Sequence, residues 1–366
     1  MKSLLFVEDF DKDSFDKIAK DSSLLCVVGL TPEACDDMYK EEISYGIPED
    51  YFVWQERRLY SEWFQKWMNK FSIFVSGHYQ NFPTGHCVSM LKNVIDAFVR
   101  RAIQWKVIMD KEKPEKIFYM KKIGLKGERI DEELYFKGES LYSRLFTATD
   151  KKNVDKKWIL FGKGKNRVRE TNNWRDNKKI RNTYDWFRCF RFIPAYGGKK
   201  KILLSASIPN LERKLRLKGA YIKLAPELSW NINFFNHSLT DNFFESISQQ
   251  IGIDSIICKK ILEKRLAFFT NIIVPLIINF AERYDSFFKE NKFDLVIFPR
   301  RNHLYQYGLL IAAKRAGIET AYIRHGWDAY DSWVRYHTRF ESYDLFITGT
   351  ELDKEFYSNK GWGKVI

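Results

Sequence analysis

Two short stretches near the carboxyl end of the chain hold residues equipped for chemistry: Arg300, Arg301 and His303 in one, and Arg324, His325, Gly326 and Asp328 in the other. Histidine is the side chain best placed near neutral pH to take a proton from a hydroxyl. A glycine directly after it lets the chain turn sharply or brings its backbone close to a ligand. Arginine recognises phosphate oxygens in bidentate fashion, and Arg300 and Arg301 precede a predicted helix whose amino end favours anions. Taken singly, His325 is equally a histidine hydrogen-bonded within a turn, and Arg300 and Arg301 a solvated loop pair.

The elements that must position these residues tip the balance toward function. Residues 294–299 (DLVIFP) form an apolar run of buried-strand type. Asn302 is a predicted cap for a helix over 303–315, Gly317 ends it, and 320–324 (TAYIR) is the returning strand. A second such unit starts at 344–348 (DLFIT), followed by a helix capped by Thr350. Strands covered by helices on both faces need no polar alternation. The crossover is nearly always right-handed, so the strands are parallel and their carboxyl ends share one edge, where ligands of open α/β sheets bind.

Other candidates carry weaker signals. Glu8 and Asp9 follow a predicted first strand at 4–7, where a carboxylate could act as a base or hold a sugar hydroxyl; a helix-capping acidic loop is the plainer alternative. Gly162-Lys163-Gly164-Lys165 lacks the spacing of a phosphate loop. Gly77-His78 and Gly85-His86 flank the segment Asn81-Phe82-Pro83-Thr84 and could line a groove, although a surface loop explains them as well.

Composition narrows the class. The 366 residues are 45% hydrophobic and 30% charged, ordinary for a globular protein, with 16% aromatics. The net charge of +14 is local: residues 151–200 hold 16 Lys and Arg against 4 Asp and Glu, and everything else carries only +2. With Trp158, Trp174, Tyr184 and Trp186, this block reads as a solvated insert, an anionic-membrane surface or a nucleic-acid surface. The amino terminus lacks a secretory pattern. The apolar stretch 266–280 is too short and too interrupted to span a bilayer, and reads as a core helix kinked at Pro275. Five scattered cysteines without a CxxC pair point to neither a disulfide framework nor a zinc site, so a reducing cytoplasm is expected.

Further strands are expected at 24–29, 117–120, 158–161, 202–206 and 221–224, and long helices at 51–68, 85–109 and 251–289. The expected fold is α/β, a Rossmann-like parallel sheet with helices on both faces. Residues 1–120 form its first part, 121–200 a basic elaboration, and 201–366 the remainder, with the chain stopping ahead of a second nucleotide-binding domain.

The stretch DLVIFPRRNHLYQYGLLIAAKRAGIETAYIRHGW, followed by YDLFITGTELDKEFYSNKGWGKVI, resembles GT-B-fold transferases of surface-carbohydrate synthesis, of the capsule, lipopolysaccharide and teichoic-acid type. Asp344 and Gly349, then Gly361, Lys364 and Val365, fit its later elements; the match covers about a fifth of the chain. The resemblance implies a metal-independent transferase of the amino-terminal, acceptor-side type. Such an enzyme moves an activated sugar or polyol phosphate from a nucleotide-sugar or CDP-polyol donor to a polysaccharide or lipid-linked acceptor. It needs no cofactor, and is cytoplasmic with peripheral contact at the inner membrane face. His325 would be the general base or a ligand of the donor phosphates, with Arg300, Arg301, His303, Arg324, Gly326, Asp328, Glu8 and Asp9 binding substrate. A sugar-nucleotide 2-epimerase and a non-catalytic polyanion- or nucleic-acid-binding protein stand as alternatives.

Overall fold

A computed structural model describes residues 2–52, 57–80, 82–83, 85–123, 141–149, 155–161, 200–226, 237, 239–299, 304–323, 343–349, 351–358 and 364–366. In chain order the elements are β1 (Lys2–Val7), α1 (Lys12–Asp21), β2 (Leu24–Gly29), α2 (Pro32–Lys40), α3 (Pro48–Tyr51), α4 (Arg57–His78), α5 (Gly85–Glu112), β3 (Lys116–Lys122), α6 (Leu141–Ala148), β4 (Asp155–Phe161), β5 (Lys200–Leu204), α7 (Pro209–Leu217), β6 (Ala220–Leu224), α8 (Asn242–Ile251), α9 (Ser255–Phe268), α10 (Val274–Glu290), β7 (Leu295–Phe298), α11 (Leu304–Arg315), β8 (Glu319–Ile323), β9 (Leu345–Ile347), α12 (Glu351–Ser358) and β10 (Lys364–Val365). No helix among the described residues is long and apolar enough to cross a membrane.

The strands divide between two all-parallel sheets, and the chain between two compact units. The first comprises Met1–Trp63, Met90–Val168 and Ser238–Phe269; the second comprises Phe64–Ser89, Arg169–His237 and Thr270–Ile366. The sequence reading placed 1–120 and 201–366 in one Rossmann-like domain. An apolar run declares that a strand is buried, but its pairing partners are chosen by contacts remote in sequence, and here β5 pairs with β6 and β7 rather than with β1–β4. The segment read as a basic elaboration likewise supplies α6 and β4, and β4 pairs along β3 as a full member of the first sheet.

In the first unit the strand order is β2-β1-β3-β4. Alternate residues serve opposite layers, which is why the buried stretches of β1 (residues 4–7) and β3 (residues 117–120) are apolar on both faces. Leu5, Val7, Phe118 and Met120 pack with Ile18, Ala34 and Met38 of α1 and α2. On the other face Phe6 stacks on Trp105 at 4.6 Å, and Tyr119 meets Phe146 and Trp158 at 5.3 and 5.0 Å. Asp11 caps α1 by accepting the Ser14 N–H at 3.0 Å, and Thr31 caps α2 through the Ala34 N–H at 3.1 Å.

In the second unit the order is β6-β5-β7-β8-β9-β10. Leu203, Val296 and Phe298 pack with Phe280, Tyr284, Leu309 and Leu310 of α10 and α11. Ile202, Leu204, Ile222, Ile297 and Ala321 face the other way, toward Leu211 and Leu215 of α7. Helix α11 is buried over most of its length, as its nearly all-apolar sequence requires. A Cβ on Gly308 would stand 2.5 Å from Phe280 Cβ and 2.8 Å from the Ala281 backbone nitrogen, so glycine lets α10 and α11 approach. Gly317 terminates α11 as expected, at φ +65°, with the Ile318 N–H donating to the Ala313 carbonyl at 2.9 Å.

Two aspartates seal the amino edge of this sheet. Asp294 Oδ2 accepts the Lys201 N–H at 2.6 Å; Asp344 Oδ2 accepts the Thr320 N–H at 2.8 Å and its hydroxyl at 2.9 Å. Each precedes its strand by one residue, so the paired motifs DLVIF and DLFIT share a structural cause. The expected kink at Pro275 takes another form. A π-helical turn, Phe269–Ile273, separates α9 from α10, and Pro275 lies in the first turn of α10, where its missing N–H costs little.

Candidate functional site

At the carboxyl edge of the first sheet, β1 and β3 lie side by side although α1, β2 and later elements separate them in sequence. This is the point where strand order reverses, the usual ligand crevice of such sheets. Glu8 leaves β1 here, its N–H still bonded to the Met120 carbonyl at 2.9 Å. The Thr31 hydroxyl donates to the Glu8 carbonyl at 2.7 Å, tying the start of α2 to the same place. The Tyr119 hydroxyl donates to Glu8 Oε2 at 2.7 Å, and the tyrosine ring is fully buried. Asp9 Oδ2 accepts the Lys122 N–H at 2.9 Å. Both acids therefore brace β1 against β3, while helix capping falls to Asp11. Glu8 is half-buried; a carboxylate held by a buried phenol at this edge is placed to accept a hydroxyl hydrogen bond from a ligand.

The equivalent place in the second sheet follows β5. Ser205 is 3% exposed; its N–H donates to the Ile297 carbonyl at 2.9 Å, and its hydroxyl accepts from Gln306 Nε2 at 3.1 Å. The Tyr305 hydroxyl donates to the Ser205 carbonyl at 3.1 Å. Glu212, 7% exposed, accepts the Ser207 hydroxyl at 2.6 Å and the Ile208 N–H at 3.1 Å.

The strand ends ahead of the arginine- and histidine-bearing segments are neighbours: β7 and β8 run parallel, with Phe298 opposite Tyr322. Arg300, Arg301, His303, Arg324, His325, Gly326 and Asp328 themselves lie outside the described residues, as do Gly162-Lys163-Gly164-Lys165 and Gly361. Of the candidates read from sequence, the described structure thus brings together Glu8 and Asp9.

Residues the sequence did not single out complete both edges. Tyr119 lay within a predicted strand with no other mark, and nothing local distinguishes a core tyrosine from one whose hydroxyl reaches a carboxylate. Gln306 did carry a signal, as the one amide in the run LYQYGLLIAA. Asp344, singled out for its motif, lies at the amino edge with Lys314 Nζ 2.6 Å from its carboxylate. Burial opposes its charge, but the Lys314 and Thr320 donors hold its carboxyl below the usual range. The segment around Gly77-His78 is anchored rather than a plain surface loop. Phe82 is buried, the Ser76 hydroxyl donates to its carbonyl at 2.6 Å, and the Arg315 guanidinium lies over its ring at 4.9 Å. His78 meets His237 edge-on at 4.5 Å; burial, then the neighbouring His78, push the His237 pKa down.

No protein-family model, curated protein or solved structure matches this chain.

Proposed function

We propose that this chain is a GT-B-type transferase that moves an activated sugar, or a polyol phosphate, from a nucleotide donor to a polysaccharide or lipid-linked acceptor. The observation that carries the reading is the repetition of one strand order: both sheets run second-first-third-fourth, all parallel. Two Rossmann-like units in one polypeptide are what a GT-B transferase requires, and the likeness of residues 293–366 to such enzymes points the same way.

In sugar transfer, the acceptor oxygen attacks the anomeric carbon and a new C–O bond forms. The bond to the donor phosphate breaks, its electron pair leaves with the nucleotide, and the acceptor proton passes to His325. With a CDP-polyol the attack is on phosphorus and the nucleoside monophosphate leaves. Arg300, Arg301 and Arg324 offset the charge that develops on the leaving phosphate, the usual electrostatic task in such transfers. Glu8, steadied by Tyr119, holds a carbohydrate hydroxyl.

The protein is incubated with nucleotide sugars and CDP-polyols, with and without a bacterial membrane extract as acceptor. Acceptor-dependent nucleotide release is expected, and its absence across the panel defeats the reading. His325→Ala lowers turnover about 10²–10⁴-fold if the imidazole is the general base; a loss below about tenfold removes that role. The Glu8–Tyr119 pair supports a second reading, sugar-nucleotide epimerisation, which needs a carboxylate for proton transfer. Conversion of a sugar nucleotide without any acceptor would select it.

A further inference from the structure

The first unit contains an open hollow of about 630 Å³ whose lining includes Lys121 of β3, Ser143, Arg144 and Thr147 of α6, Trp158 of β4 and Lys260 of α9. We propose that this hollow binds the phosphate group of a small phosphorylated solute. The inference stands apart from the transferase reading.

Three cations from three different elements line the hollow, and among the described residues the lining contains no carboxylate. Three other cations of the same unit are engaged. Lys259, next to Lys260, pairs with Asp241 at 2.7 Å. Lys116 stands 3.5 Å from Asp155. Lys156 donates to the Phe146 carbonyl at 2.7 Å and to that of Thr149, closing the end of α6. Among the described residues, no ion pair engages Lys121 or Lys260. Bringing the Lys121 and Lys260 ammonium groups to one hollow opposes folding through like-charge repulsion, and a bound dianion removes that cost.

The walls also position the charge. Lys121 Nζ lies over the Trp158 ring at 5.1 Å, and that ring is wedged edge-on against Phe146 at 4.7 Å. The indole thus holds the ammonium at the rim by cation–π attraction. Ser143 is 4% exposed and adds a hydroxyl to the floor. Lys121 is opposite Leu160 near the carboxyl ends of β3 and β4, the edge at which α/β sheets take ligands. The volume lies within the roughly 300–1,000 Å³ of small-molecule sites. A concave hollow lined by cations suits a compact phosphate better than a membrane plane or an extended polyanion.

Titration calorimetry of the whole protein with inorganic pyrophosphate and with glucose 1-phosphate tests this, with phosphatidylglycerol vesicles as a third arm. Saturable binding of at least one solute is expected, weakening as salt is raised. Lys121→Gln and Lys260→Gln should each weaken it about tenfold, the scale of one charge-assisted hydrogen bond. Lys157→Gln, an exposed change outside the lining, should leave it unchanged. Lys260 is itself exposed, so its variant stays informative even if Lys121→Gln lowers the melting temperature. No saturable solute binding, equal binding by wild type and both lining variants, or binding to vesicles alone would each overturn the assignment. Solute binding without transfer would retain this site and remove the transferase reading; transfer without solute binding at the hollow would do the reverse.

Discussion

The two sheets place different groups at the same topological position. Glu8 follows the first strand of one unit and Ser205 the first strand of the other. The carboxylate is half-buried and held by a strand tyrosine, whereas the serine hydroxyl is sealed at 3% exposure under a helix glutamine. A buried polar atom must find an internal partner, and Ser205 has one; its role is to knit β5 to α11. Glu8 is half-buried at the carboxyl edge of its sheet. Equal topology therefore does not imply an equal environment: burial seals the serine hydroxyl and leaves the carboxylate partly exposed.

That contrast can be broken first at its structural end. Gln306→Leu deprives the Ser205 hydroxyl of its donor inside a sealed site, and urea titration should show a loss of about 1–3 kcal/mol; a change below about 0.5 kcal/mol would mean that the knot bears little weight. Glu8→Gln should reverse the profile, costing less than about 1 kcal/mol of stability while reducing transfer about tenfold. Equal effects on stability from the two variants would erase the distinction. The smallest effect is expected at Asp344. Its folded carboxyl is held low, so its contribution is present above the ordinary aspartate value and fades as pH falls through the lower folded value. Thermal melting from pH 6 down to pH 2 should show a shallower acid-side decline for Asp344→Asn than for wild type.

Much of the skeleton was legible in the residues. The runs LLCVVG, IFYM, DLVIFP and DLFIT all lie in or around strands, and Gly317 ended its helix as expected, because burial and left-handed backbone leave local marks. The stretch 266–280 was legible as helical, but the π-turn within it was not, since Pro275 signals a missing donor without saying how the turn before it rearranges. At the site, Glu8 and Asp9 were visible as acids after a strand. Tyr119, which holds Glu8, was not, because its role depends on a strand more than a hundred positions away.

Local pattern by itself determined that this is an α/β chain of parallel strands with polar groups following their carboxyl ends, since hydrophobic runs, caps and glycines act over a few residues. Tertiary structure alone decided that the strands form two sheets, that Asp294 and Asp344 lock an amino edge, and that Lys121, Arg144 and Lys260 share one hollow. Those outcomes rest on contacts between segments remote in sequence, where shape and charge from several elements must fit together.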